Sequence, residues 1–243
     1  MPGRGTADHV WRVFENGKEY LFKHVKIDVP SYSERDGEDW NICCEGFLEI
    51  DRETSTANIT PCDEIPSFAY WDNVFTKDEC KKIIEIGNSL EIVKGRASGD
   101  EKEEIRNCDI SWISVTPQTE WIYKKLNEIT ISLNSRFFKF DITGFEEGLQ
   151  FTIYKEPQSQ YKTHVDCTSG KKIRKLSLSV QLSDSNDYEG GNLILENGST
   201  GHKASRELGA LIMFPSYTMH TVEPVTKGTR YSLVVWATGP SFK

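Results

Sequence analysis

The sequence predicts a mainly β protein with supporting helices (α+β), built as a sandwich or jelly-roll core behind a small N-terminal β-meander. Three observations carry this. From Gly148 onward short apolar stretches alternate with turn-forming clusters, the pattern of an antiparallel sandwich or barrel. Ahead of that region two segments combine helix-start signals with apolar residues at helical spacing. Near the N-terminus strand-like runs flank Asn16-Gly17, a hairpin signal because both residues tolerate the positive φ of a tight primed turn.

Taken in order, Trp11 to Phe14 and Tyr20 to Val29 read as strands, and Trp40 to Ile50 as further strand. The stretch Asp51 to Cys62 is rich in Thr, Asn, Asp and Ser, so a boundary is placed there. The expected domains are a β-rich module over residues 1–60 and a main domain over 61–243. Within the main domain Thr76 and Glu79 fit a capping box, each satisfying the other's orphan backbone donor. Ile83, Ile84, Ile86 and Leu90 follow, giving a helix over 77–90. Asp109 to Val115 is strand-like. Thr116-Pro117 then opens a second helix over 117–135, whose apolar face is Trp121, Ile122, Leu126, Ile129 and Leu133. The barrel is expected over 148–240, with strands at 149–154, 175–182, 191–195, 210–214 and 229–237.

Composition narrows the function classes. A chain of 243 residues with six Trp and twelve Phe can bury one large core, or one ordinary core and a small module. Its net charge of −8 argues against a nucleic-acid partner, which selects for a basic footprint. No apolar run is long enough for a membrane span, and no apolar segment follows Arg4 to suggest a secretory signal. Cys43, Cys44, Cys62, Cys80, Cys108 and Cys167 share no repeating spacing and form no CxxC. Free thiols and a cytoplasmic, reducing location are therefore expected.

The most informative residues are His164-Val165-Asp166, followed much later by His220 and Arg230. Two imidazoles and a carboxylate give a three-point face for a ferrous ion and leave other coordination positions open. On an extended strand the side chains at i and i+2 point the same way, so His164 and Asp166 converge and His220 must arrive on another strand. Arg230, ten residues further on, suits a carboxylate held by two parallel hydrogen bonds. Tyr154, ten residues before His164, ends an apolar strand where its phenol can reach such a carboxylate.

These parts resemble an Fe(II)- and 2-oxoglutarate-dependent dioxygenase of the prolyl 4-hydroxylase type. The resemblance runs from about Ile65 to Pro240. It rests on Leu149-Gln150 and Tyr154, Tyr161-Lys162-Thr163-His164-Val165-Asp166, and Leu176 to Ser183. Tyr188-Glu189-Gly190-Gly191, Phe214-Pro215, His220 and Gly228-Thr229-Arg230-Tyr231-Ser232-Leu233 through Trp236 continue it in order, with Arg106 and Trp112 upstream. It implies a double-stranded β-helix core and hydroxylation coupled to oxidative decarboxylation of 2-oxoglutarate, with O2 as oxidant and ascorbate as a supporting reductant. By the same resemblance His164, Asp166 and His220 bind Fe(II), Arg230 pairs with the distal carboxylate of 2-oxoglutarate, Tyr154 donates to it and Trp236 lines the pocket. Two positions depart from the family pattern. Asn192 stands where many relatives have an acidic residue, and Gln181 where some place a second co-substrate tyrosine, its amide still able to donate.

A prolyl residue, another peptidyl residue and a small molecule all remain open as substrates. A β-sandwich binding module with a remnant metal site and a cupin-like iron enzyme are the competing readings, though neither uses Arg230. Trp11, Phe14, Trp40 and Phe47 suggest an apolar face on the N-terminal module, which could brace the barrel or form a homodimer through exposed strand edges.

Overall fold

The structure is a computed structural model. It describes residues 66–96, 105–167, 173–196 and 201–242, and before residue 66 the backbone of six strands. The chain divides into two compact units, Met1–Pro66 and Ser67–Lys243.

In the first unit the strands are β1 (Trp11–Glu15), β2 (Lys18–Phe22), β3 (Lys26–Ile27), β4 (Ile42–Cys43), β5 (Gly46–Asp51) and β6 (Thr56–Pro61). Strands β1-β2-β5-β6 form an antiparallel sheet in that order, and β3 pairs with β4. Glu15 lies opposite Lys18, the register a two-residue hairpin connection requires; Asn16 and Gly17 themselves lie outside the described residues. Strand β6 is a correction to the sequence reading, which placed a domain boundary near Asp51 to Cys62 and no strand there. Thr56, Ile59 and Thr60 favour extended backbone, β5 offers a partner from Asp51 to Gly46, and Pro61 sits at the strand end where its missing donor is tolerated. The expected apolar face of Trp11, Phe14, Trp40 and Phe47 concerns side chains outside the described residues.

The second unit contains β7 (Ala69–Trp71), α1 (Lys77–Ser89), β8 (Val93–Gly95), β9 (Arg106–Ile113), α2 (Glu120–Leu133) and β10 (Leu149–Lys155). It continues with β11 (Ser159–His164), β12 (Ile173–Gln181), β13 (Tyr188–Gly190), β14 (Leu193–Leu195), β15 (His202–Lys203), β16 (Leu211–Pro215) and β17 (His220–Gly239). The capping box at α1 is present: the Glu79 backbone N–H donates to Thr76 Oγ1 and the Thr76 N–H to the Glu79 carboxylate. Helix α2 begins later than expected. Thr116 to Thr119 form a turn in which Thr119 Oγ1 donates to the Ser114 carbonyl, so Pro117 precedes the helix rather than occupying its first turn.

Strand β17 organises the barrel. The sequence reading took only 229–237 as strand, whereas the structure runs one strand over 20 residues, His220–Gly239. Its first part pairs with β11, β14 and β13, and its second with β10 and β12. The change of partners occurs near Gly228, whose φ is +74° and where a Cβ would lie 2.2 Å from the Asp187 carbonyl oxygen; any side chain there would separate the strands.

Alternation does the rest. On β10, β12 and β17 one set of residues (Phe151, Ile153, Leu176, Leu178, Val180, Leu233, Val235) packs with Ile83 of α1 and Ile122, Leu126 and Leu133 of α2 in the main core. Full burial of each such side chain contributes about 1.5–3 kcal/mol. Gly87 lets α1 approach this sheet, since a Cβ would meet the Phe151 ring at 2.3 Å. The residues between them, including Gln150, Tyr154, Ser177, Ser179, Arg230, Ser232 and Trp236, line an interior cavity. Strands apolar on one face and polar on the other, with both faces buried, mark an interior built to hold a polar ligand.

Candidate metal centre and co-substrate pocket

Register assembles the site. His164 closes β11 directly opposite His220, the first residue of β17. Strand β11 was absent from the sequence reading because Ser159 to His164 is mostly polar. Asp166 lies two residues beyond that strand, where its backbone N–H and that of Cys167 both donate to the Ser216 carbonyl, at 2.9 and 2.8 Å. The expected continuous strand through His164 and Asp166 is therefore not formed, yet the side chains still converge. His164 Nε2 is 3.7 Å from Asp166 Oδ1, and His220 Nε2 is 3.5 Å from Oδ2. One donor atom from each of the three residues lies within 4.8 Å of the others.

The groups behind these ligands fix their chemistry. His164 Nδ1 faces the Lys162 carbonyl at 2.8 Å and His220 Nδ1 the Thr218 carbonyl at 2.9 Å. A carbonyl only accepts, so each Nδ1 must carry a proton, and Nε2 is the nitrogen that each ring turns toward Asp166. Burial, reinforced by the neighbouring His220, lowers the His164 pKa to about 4 and keeps that imidazole neutral and able to ligate. Burial works against ionisation of Asp166, but His220, the Trp236 indole N–H, His164 and Ser177 together hold its carboxyl below the usual range. Ser177 Oγ donates to Asp166 Oδ2 at 2.8 Å and shares a hydrogen bond with Ser216 at 2.9 Å. The Trp236 N–H is buried and has no hydrogen-bond partner among the described residues; it acts on the carboxylate from outside bonding geometry. Tyr161 stacks on His164 with ring centroids 3.4 Å apart, and Arg106 packs over the Tyr161 ring at 4.6 Å.

The ligands open into a cavity of about 320 Å³ that also contains Arg230, Tyr154 and Trp236. Tyr154 sits opposite Arg230 across β10 and β17; its guanidinium carbon is 5.4 Å from the Tyr154 ring centroid, and burial pushes the phenol's pKa up, so it stays a donor. Gln181 takes a different place from the one the resemblance implied. It does not line this cavity: its Oε1 accepts from Arg230 Nε at 3.2 Å while its Nε2 donates to Tyr188 Oη at 2.8 Å and the Ser183 carbonyl at 3.2 Å. The amide thus aims the arginine instead of presenting an N–H to a ligand. Arg230 itself is 4% exposed and has no carboxylate partner among the described residues.

The sequence reading missed Ser177, which holds Asp166, and the pair Arg174 and Glu147 at the same cavity. A signal for the serine was present. Ser177, Ser179 and Gln181 alternate with Leu176, Leu178 and Val180, a period-2 polar face on a strand that the apolar count alone marks as core.

The donor chemistry fits iron: two imidazoles and one carboxylate form the facial set of non-haem Fe(II) oxygenases. Comparison with known proteins agrees. Residues 149–238 match the 2OG-Fe(II) oxygenase superfamily, a span holding every residue just named except Arg106 and Glu147. A PKHD-type hydroxylase of Alteromonas mediterranea is 36% identical over 93 residues, 35% of this chain and 41% of that protein. One from Synechococcus elongatus is 26% identical over 174 residues, covering 68% of this chain and 75% of its own length. The fold is shared with a Pseudomonas putida prolyl-4-hydroxylase (TM-score 0.59, 18% identity, 72% of this chain and 94% of that one). It is shared equally with a Trichoplax adhaerens prolyl hydroxylase solved with a hypoxia inducible factor peptide fragment (TM-score 0.60, 20% identity, 70% and 83%). Over residues 149–238 the chain is thus similar to the 2OG-Fe(II) oxygenase superfamily, and its second unit has the fold of the prolyl 4-hydroxylases.

Proposed function

We propose that the protein is an Fe(II)- and 2-oxoglutarate-dependent dioxygenase that hydroxylates a prolyl or other peptidyl residue. The observation that carries this reading is Arg230, a buried guanidinium in the cavity of the three metal donors with only neutral groups as described hydrogen-bond partners. A buried charge without a counter-charge is costly, and an anionic ligand removes that cost. A dicarboxylate suits both ends: His164, Asp166 and His220 would hold the iron that chelates its 2-oxo acid group, and Arg230, with the Tyr154 hydroxyl, its distal carboxylate. Iron held there would supply the coupling of O2 to the reaction, with one oxygen atom going to succinate and the other to the hydroxylated product as CO2 is released. Gln181 keeps Arg230 aimed, Ser177 keeps Asp166 oriented, and the Trp236 wall limits water around the reacting groups.

A remnant metal site and a cupin-like enzyme both leave Arg230 without a purpose. The peptide bound to the Trichoplax neighbour supports a peptidyl substrate, and the hydroxylase names of the relatives support hydroxylation. No helix among the described residues is long and apolar enough to cross a membrane. The edge strands β1 and β6 of the N-terminal sheet support self-association of that unit, and sedimentation of the chain with and without residues 1–66 tests it.

The deciding experiment for the co-substrate is an anaerobic titration with Fe(II) and 2-oxoglutarate. A visible charge-transfer band requiring both, and lost in Asp166→Ala and Arg230→Ala, is the expected outcome. Full iron loading without a band overturns the reading.

A further inference from the structure

The two positions that depart from the family pattern, Gln181 and Asn192, meet in one network. Gln181 Nε2 donates to the Ser183 carbonyl and to Tyr188 Oη, at 3.2 and 2.8 Å. A carbonyl only accepts, so the amide cannot flip, and Oε1 is the atom left for Arg230 Nε. A glutamine has rotamer freedom to lose, so its aim is only as firm as the partners that hold it. One of them, Tyr188, is buried and opens β13 opposite Gly228.

Arg206 sits on that tyrosine. Its guanidinium carbon is 4.1 Å from the ring centroid, and Nη2 donates to the carbonyls of Tyr188 and Ser185 at 2.8 and 3.1 Å. Ring and main chain of Tyr188 are therefore held by one rigid planar group. Asn192 completes the seat. Its Nδ2 donates to the Glu223 carboxylate, which turns Oδ1 toward Arg206 Nη1 at 3.4 Å. A carboxylate in place of that amide would draw the guanidinium into an ion pair and compete with its seat on the ring. Arg206 does not line the cavity of the metal donors. With Gln181, Tyr188 and Arg230 it borders a second space of only about 10 Å³. That is room for no more than one water and too little for a substrate group, so Arg206 acts through its contacts.

We propose that Arg206 is a positioning residue for the co-substrate: it fixes Tyr188, Tyr188 fixes the Gln181 amide, and the amide aims Arg230. The inference rests on the co-substrate reading above. It makes 2-oxoglutarate affinity depend on a residue that touches neither the metal donors nor their cavity.

The test is a double-mutant cycle read by binding. 2-Oxoglutarate is titrated anaerobically, by calorimetry, into Fe(II)-loaded wild type, Arg206→Met, Gln181→Leu and the double variant. Arg206→Met should weaken 2-oxoglutarate binding about fivefold, the scale of one hydrogen bond, with Fe(II) affinity unchanged. Once Gln181→Leu is present, the same substitution should cost less than about twofold, within the scatter of such cycles. A merely structural role would lower affinity equally in both backgrounds. Arg206→Lys keeps the charge but not the planar fork. It should lose about threefold with the same dependence on Gln181, and it carries the test should Arg206→Met not fold. Wild-type affinity in the Arg206 variant, or an equal loss with and without Gln181, overturns the inference and leaves the co-substrate reading intact. A wild type that gives no charge-transfer band with Fe(II) and 2-oxoglutarate overturns both.

Discussion

Arg230 and Arg174 line one cavity in very different company. Arg230 is 4% exposed, with a glutamine amide oxygen at its Nε and a tyrosine ring nearby. The Arg174 side chain is 19% exposed and carries a carboxylate on two of its nitrogens. The first is incomplete in charge and complete only with an anion. The second is neutralised and has only hydrogen-bonding capacity to spare. Under the proposed function the uncompensated Arg230 is the one that would meet the charged co-substrate.

The most direct way to break this division is Arg230→Gln. Removing one partner of a buried charge pair costs about 2–5 kcal/mol, so 2-oxoglutarate affinity should fall by about 30-fold or more by calorimetry while metal binding persists. Ser177→Ala probes the metal end instead. Loss of a hydrogen bond behind a ligating carboxylate should lower Fe(II) affinity about tenfold or more, measured by competition with a chelator, and 2-oxoglutarate binding should follow only through the metal. Gln181→Leu leaves Arg230 in place but unaimed. A loss of about tenfold in 2-oxoglutarate affinity, the size of one hydrogen bond to a charged group, is expected; an unchanged affinity would show that the strand alone aims the guanidinium.

The smallest effect lies outside the cavity. Burial opposes ionisation of Glu79, but the Lys125 ammonium and the Thr76 N–H outweigh it and hold the carboxyl below its ordinary 4.5. A pKa depressed in the folded state means the unfolded chain takes up the proton first. This stabilisation is therefore complete well above pH 4.5 and is lost as pH falls through the lower folded value. Glu79→Gln should cost about 1 kcal/mol at neutral pH and flatten that acid limb in urea denaturation, with co-substrate affinity unaltered.

Local chemistry was legible wherever residues close in sequence cooperate. Thr76 and Glu79 marked the start of α1 because a capping box needs only one turn of chain. His164, Asp166, His220 and Arg230 stood out by residue type and order, since few other combinations make a facial iron site with an anion-binding arginine. What escaped was non-local. Polar β11 is a strand because β17 and β9 pair with it on either side, and β6 is one because β5 is available. Gln181 was legible as a polar residue near the co-substrate, but its place behind Arg230 follows from a register in which Gln181 faces Ser232.

The sequence by itself thus determined the metal donors, the anion-seeking arginine and a barrel with supporting helices, because residue chemistry and alternation are written along the chain. Only the tertiary structure decided the grip of Glu147 on Arg174 and the serine behind Asp166. Each of these depends on which strand lies beside which and in what register, and a shift of one residue sends every side chain to the opposite face.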